Sequence, residues 1–576
     1  MTITLDNLSA ELLAEIFNLI HDSSRHTIFS LLLVNKFISG AALPFVYQEL
    51  TFDFGQERGA PSLRNGHQSQ QTETDQVQVV PYTRTHEILD LLLQLTPESS
   101  IWNRIRKVTA HSSCAPHSSG SASSSERIRP RWDSLIEFLS RIVNLQEFIF
   151  DCTERVPIPL LQAIETYHPT CRLHVRNWVR QRSDTPVEDP YGEALARSPC
   201  LKGIQSHFMT EVGPRLNWYH IAFERILALS PSVEEVSYTS RTTGAYAHNP
   251  TARREEKAEE ETESEQFRVT NPVKKSCVRR IKWMAISPAL LQRWGGFIDL
   301  QKVENLDVAR VYNGQWMEYA VDHRTFVGLK HLSFKIDYDS FYRDGSKEEL
   351  QATLEKFISS LSPLESLSII EYHGYIDLTF ILVEHGSSLR SLSLHQPEHR
   401  RGGPRPVLTH DDLTLISTKA PHLKHLEFDL NRTRIPQANE MQTYTILSTF
   451  RFLRKITIHY DTGMRYETSF QASRQIPPLD SRPAEFDEIY TKVDDDFVRE
   501  VWQAVLNRRL EVMELHIGEP RQQVPSGYSK SWPAKEEDIR WVRACRSERD
   551  DLRNNASTVG IVKGRQKWYS YSLEIL

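Results

Sequence analysis

No Cys-x-x-Cys pair occurs in this chain of 576 residues, and its six cysteines, Cys114, Cys152, Cys171, Cys200, Cys277 and Cys545, stand far apart. That spacing argues against a disulfide framework or a structural zinc site and for a reducing compartment. No run approaches the roughly 18–20 apolar residues needed to span a bilayer, so no membrane partner is expected. The N-terminus carries Asp6 and Glu11 instead of a basic stretch. No secretory signal is read there, and an intracellular placement, cytoplasmic or nuclear, is expected. A global basic balance is missing too: the formal net charge is −6, which argues against nucleic acid as a partner. Gly-x-Ser-x-Gly, the Walker loop and His-Glu-x-x-His are all absent. No glycine-rich phosphate loop follows the first strand. The expectation is a protein without an active site or cofactor.

What is present is apolar and periodic. Leu8, Leu12, Leu13, Ile16, Phe17, Leu19 and Ile20 recur at helical spacing, His21 to Ser24 break the run, and a second apolar stretch follows from Ile28 to Ile38. Short helices of this kind expose more apolar surface than fifty residues can bury against themselves, so they need a partner. The segment Leu8-Ser9-Ala10-Glu11-Leu12-Leu13, the later Leu33-Val34-Asn35-Lys36-Phe37 and the exit Pro44-Phe45-Val46-Tyr47-Gln48-Glu49-Leu50 together resemble an F-box of the fungal type. Ser9 replaces the family's Pro, Asn35 its Cys, and no Trp stands near Phe37. Residues 1–52 would form this helical module. The resemblance implies docking on a Skp-type adaptor, and through it on a cullin, by Leu8, Leu12, Ile16, Leu33 and Val34. The departures predict weaker docking than a consensus F-box.

From residue 53 to 576 one theme repeats: a helical stretch, then a short strand spelled Leu-x-x-Leu-x-Leu. Its members begin at Ile105, Leu145, Val233, Val278, Val303, Leu329, Leu364, Leu389, Leu423, Leu453 and Leu510, with Leu201 and Ile204 a weaker one. The spacing lies near and above the leucine-rich-repeat period. Alternate strand side chains share one face, and the leading Leu turns inward as the chain bends. One such unit cannot bury its own apolar face, so neighbours must stack. The pattern predicts an α/β, irregular leucine-rich-repeat-like solenoid with parallel strands and helices on the convex side. Leu135, Ile136, Leu139 and Val143 are expected on one helical face, as are Leu350, Leu354, Phe357, Ile358 and Leu361. Polar insertions near 56–78, 111–129, 240–276, 396–406 and 461–483 bury too little to offset their ordering entropy and are expected to be disordered.

Three clusters invite a chemical reading. His168, Cys171 and His174 have ligand-like spacing, but no fourth ligand is evident, and Cys171, Leu173 and Val175 alternate as a strand that buries one face. Asp494, Asp495 and Asp496 precede a helix opening at Phe497 and suit its N-terminus without a metal. Arg400, Arg401 and Arg405 could receive an acidic group, but read as a solvated hinge between repeats.

An F-box followed by a repeat array implies a substrate-recognition subunit of a Skp–cullin–F-box ubiquitin ligase, which does no chemistry itself and holds a protein substrate near another enzyme. A repeat scaffold without a ligase role, binding a partner through its concave face, is the alternative. Strand residues between the core leucines would line that face; Lys335, His395, Glu427, Asp429, His459 and Glu514 are the substrate-binding candidates.

Overall fold

The computed structural model describes residues 13, 16, 17, 31, 34, 36–54, 85–99, 101–112, 132–179, 189–210, 217–242, 274–336, 347–397, 405–431, 438–461, 495–505, 509–517, 541–546 and 559–564. The expected polar insertions lie almost wholly outside these. The chain divides into two compact units, residues 1–281 with 293–300, and residues 282–292 with 301–576.

In the first unit α1 (Lys36–Val46), β1 (Glu49–Asp53), α2 (Thr85–Leu93), β2 (Lys107–His111), α3 (Trp132–Arg141) and β3 (Glu147–Asp151) are followed by α4 (Ile158–Tyr167), β4 (Arg172–Val175), α5 (Pro190–Arg197), β5 (Leu201–Thr210), α6 (Asn217–Leu229) and β6 (Glu235–Thr242). Strand β7 (Arg280–Trp283) and helix α7 (Pro288–Phe297) fall where the units divide. The second unit continues with β8 (Asn305–Val311), α8 (Gln315–Asp322), β9 (His331–Ile336), α9 (Lys347–Ser360), β10 (Ser366–Ile370), α10 (Leu378–His385) and β11 (Ser391–His395). It ends with α11 (His410–Lys419), β12 (His425–Asn431), α12 (Ala438–Leu447), β13 (Lys455–Asp461), α13 (Asp495–Val505), β14 (Val512–Ile517), β15 (Trp541–Arg546) and β16 (Val559–Gly564).

Strands pair in chain order. They are parallel from β1 to β6 and from β8 to β14. Strands β15 and β16 then add antiparallel, which corrects the expectation of parallel strands throughout. Their sequences lack the Leu-x-x-Leu spelling that marked the others.

The register shows why the spelling works. Leu332, Leu367, Leu392, Leu426, Ile456 and Met513 occupy equivalent positions on successive strands, all buried. The leading Leu329, Leu364, Leu389, Leu423, Leu453 and Leu510 are buried as well. Each such side chain removed from water stabilises by about 1.5–3 kcal/mol. On α9 the buried set is Leu350, Leu354, Phe357 and Ile358, as the spacing predicts. Helix α3 differs: Leu135, Phe138, Leu139 and Ile142 are buried while Val143 is 59% exposed. The helix ends at Arg141, so helical periodicity no longer positions Val143.

Helix ends are tied to the preceding repeat. Carbonyls in the last turn of a helix have no intrahelical donor. The buried His168 ring bonds the Leu139 carbonyl through Nε2 at 2.8 Å, and Ser230 Oγ donates to the Ala196 carbonyl at 2.8 Å. His385 does the same with Nε2 to the Ile358 carbonyl at 3.1 Å, while its Nδ1 accepts from the Leu364 amide at 3.3 Å. Burial holds both imidazoles below the ordinary histidine value. Burial, with Arg293 nearby, takes His220 down to about 4. These rings are neutral in the fold and bind protons more readily once the chain unfolds. Their contribution is therefore complete above pH 6.5, the unperturbed value, and is lost as pH falls below it, for His220 as pH approaches 4. The melting temperature is expected to drop by about 5 °C or more between pH 7 and 5, measured by circular dichroism at constant ionic strength. A flat melting temperature over that interval would contradict the buried neutral rings.

Candidate functional site

Alternation puts one set of strand side chains into the core and leaves the other as a polar face. In the first unit that face is a set of charge pairs. Lys107 meets Glu147 at 3.4 Å, and Arg280 meets Glu235 at 2.9 Å. The His174 ring lies between Glu147 at 4.0 Å and Glu235 at 3.9 Å. A Cβ at position 203 would overlap its Nδ1, so Gly203 leaves the room it needs. His111 Nδ1 lies 3.1 Å from Asp151, whose other oxygen accepts from the Asn177 amide. Asp151 holds His111 above its ordinary value, chiefly through that bond. The His168–Cys171–His174 run is not a ligand set: Cys171, Leu173 and Val175 are buried, whereas His174 points to the polar face. Burial also pushes the Cys171 thiol up to about 12, which disfavours the thiolate a metal needs. Among the described residues no group of His, Cys, Asp or Glu is arranged to hold a metal ion.

In the second unit the face over β11 to β14 brings most of the predicted residues together. His395, Asp429 and His459 occupy one register row, and Glu427 and Glu514 the neighbouring row. His395 Nδ1 is 2.7 Å from Asp429 Oδ1, and His459 Nε2 is 2.7 Å from Glu427 Oε1. The rings of His395 and His459 lie 4.4 Å apart, and those of His459 and His516 lie 4.8 Å apart. Glu514 pairs with Lys455 at 2.9 Å. Lys335 stands apart on β9, paired with Glu371 at 3.1 Å.

These pairs set the electrostatics. Burial pushes the Glu427 carboxyl up, but the bond and charge of His459, with a bond from Ser393, hold it well below the carboxylate range. Burial, reinforced by His459, takes His516 down to about 4. Burial lowers His425 in the same way.

Asp429 differs from its expected role as a solvent-facing group. Its side chain is 1% exposed, and Arg405, equally buried, lies 3.1 Å away. The Gln396 amide donates to the second carboxylate oxygen. Arg405 also reaches the Gln396 carbonyl at 3.3 Å, Asn431 Oδ1 at 3.3 Å and the His459 carbonyl. Arg405 is thus no solvated hinge residue: it ties the segment after β11 to β12 and β13. Arg400 and Arg401 lie outside the described residues. Sequence reasoning singled out Arg405 but gave it the wrong role, and it missed Gln396, because residues in a polar stretch carry no periodic signal of burial.

Near the N-terminus Leu13, Phe17, Ile38 and Ala42 form a buried cluster, with Ile16, Leu31, Ala41, Phe45 and Val46 packed around it. The Phe17 and Phe45 rings meet edge to face at 6.2 Å. Of the predicted adaptor-binding residues, Ile16 is half-buried against this cluster, and Val34 is 58% exposed in a turn. Leu8, Leu12 and Leu33 lie outside the described residues. Helix α13 begins at Asp495, two residues before the predicted Phe497, and Asp496 bonds Arg499 at 3.0 Å; Asp494 lies outside the described residues. Among the described residues no helix is long and apolar enough to cross a membrane. Neither a family model nor a curated protein matches this chain.

Proposed function

We propose that this chain is the substrate-recognition subunit of a Skp–cullin–F-box ubiquitin ligase. The F-box-like N-terminus docks the adaptor, and the polar strand face of the repeat array holds a protein substrate. The observation that carries the reading is the resemblance of residues 8–50 to an F-box, in a chain whose remainder is a strand–helix repeat. The apolar cluster around Leu13, Phe17, Ile38 and Ala42, with Val34 left in solvent, is compatible with it. An exposed valine beside a small apolar cluster is the kind of group a partner covers. The chain itself does no bond chemistry in this scheme, needs no cofactor, and works inside the cell by raising the effective concentration of substrate near a charged enzyme.

Val34 gives a clean test, because a charge there meets solvent in the free chain and apolar surface only in the complex. Val34→Glu is expected to weaken co-purification of a Skp-type adaptor and cullin by at least about tenfold, a cost of roughly 1.4 kcal/mol or more, with an unchanged melting curve. The doubly charged Leu12→Asp, Ile16→Asp variant should abolish it. Failure of the unsubstituted chain to retain adaptor or cullin would overturn the reading.

A further inference from the structure

Along one rim of the parallel strands β8 to β14, the residue just before each strand is charged. Its carbonyl accepts from the two equivalent amides of the next repeat: Glu304 from Lys330 and His331, Lys330 from Glu365 and Ser366, Glu365 from Arg390 and Ser391, Arg390 from Lys424 and His425, Lys424 from Arg454 and Lys455, and Arg454 from Glu511 and Val512. These bonds hold the charged residues in register, about 4.8 Å apart. The signs run minus, plus, minus, plus through Glu304, Lys330, Glu365 and Arg390. Alternation then breaks: Lys424 and Arg454 are both positive, and Glu511 closes the row.

The alternating members form ion pairs. Lys330 meets Glu304 at 3.6 Å, Arg390 meets Glu365 at 3.8 Å, and Arg454 meets Glu511 at 3.3 Å. Lys424, between two arginines, makes no ion pair among the described residues and is exposed. Like charges at facing positions of a sheet repel, so this row holds uncompensated positive charge. Beside it, Phe452 is half-buried between the His422 ring, 5.8 Å away, and the Arg509 guanidinium, 4.5 Å from its centroid. Lys455 adds one more cation next to Lys424 and Arg454, already shared with Glu514.

We propose that the Arg390–Lys424–Arg454 rim, with Phe452 at its side, docks an acidic peptide segment of a partner protein through Asp or Glu carboxylates. Charge complementarity commits the occupant. The cations lie in a row, one per strand, on an open edge, so they match carboxylates distributed along an extended chain. They do not converge as a phosphate dianion would require. The row is short and the chain as a whole carries −6, which does not suit a polyanion. Phe452 offers an apolar contact for a side chain next to the acidic ones. The site is independent of adaptor docking.

The test uses the full chain at low salt and a fluorescein-labelled peptide of alternating Glu and Leu, followed by anisotropy. Saturable binding is expected, weakened by salt, and absent for the same peptide with Gln in place of Glu. Lys424→Glu should weaken it by about tenfold or more. Lys356→Glu, a reversal of an exposed helix cation near Asp322, should leave it unchanged. Because Lys424→Glu restores alternation on the rim, its melting temperature should equal or exceed that of the parent. Equal loss in the two variants would mean nonspecific attraction and overturn the site. Tighter binding of an oligothymidylate or a phosphoserine peptide than of the Glu peptide, or a fall in the melting temperature of Lys424→Glu, would overturn it as well.

Discussion

Replacing Arg405 by alanine is expected to destabilise the second unit by about 3–5 kcal/mol, although the residue sits in a polar stretch that reads as a loop. The Asp429 carboxylate beneath it is 1% exposed and, among the described residues, would keep His395 and the Gln396 amide as partners. The Gln396 carbonyl, the His459 carbonyl and Asn431 would each lose a donor. Removing one partner of a buried pair leaves the other charge uncompensated, which costs more than the pair itself contributes. For the same reason the double variant Arg405→Met, Asp429→Leu should be less destabilised than either Arg405→Ala or Asp429→Asn. Urea unfolding followed by fluorescence measures this, and adding the single variants Arg405→Met and Asp429→Leu closes a double-mutant cycle. A cost below about 1 kcal/mol for Arg405→Ala would show that the ion pair contributes no more than an exposed surface pair does. Charge reversal at Asp429 is consequently a stability experiment, and Glu427 is the residue with which to probe binding.

The parallel strand–helix array was legible because its signal is local. Each Leu-x-x-Leu-x-Leu segment states its own burial, and the residues that precede the strands, such as Leu364 and Leu389, obey it repeat after repeat. The helices were legible through spacing, but their ends were not. Val143 falls past Arg141, where the chain has left the helix, and α13 opens at Asp495 ahead of its first apolar residue. Strands β15 and β16 carry no repeat spelling; their antiparallel pairing joins segments separated by 12 residues and more, which no single-window pattern reveals. The polar face was legible as a set of positions, since period 2 fixes which residues share it. Its chemistry was not. That Asp429 is covered while Glu427 remains 27% exposed depends on Arg405 reaching back from a different segment. Nor could the sequence show that the rings of His395, His459 and His516 lie close together at tilted angles, because β11, β13 and β14 are brought near one another only by the sheet.

Glu427→Lys is expected to lower capture of the proposed substrate by about tenfold or more while adaptor binding persists, read by ubiquitylation or proximity labelling. The substitution removes the 2.7 Å bond to His459 and sets a cation beside that ring. A charge-assisted bond of this kind contributes about 1.5–3 kcal/mol, so some loss of stability will accompany the change. Glu427→Gln separates the two effects. It keeps shape and removes only the charge, so a binding role predicts a graded series from Glu through Gln to Lys. A purely structural role predicts that capture follows the melting temperature. The carboxyl is held below its ordinary value of 4.5, so its stabilisation is present above that pH and is lost as pH falls below it. The Gln variant should therefore lose less stability than the parent over that acid range. If capture survives Glu427→Lys but is lost in Lys424→Glu, the substrate is held by the basic rim and not by the strand face. If both variants capture substrate as the parent does, neither surface is the recognition site, and the proposed role of the repeat array fails.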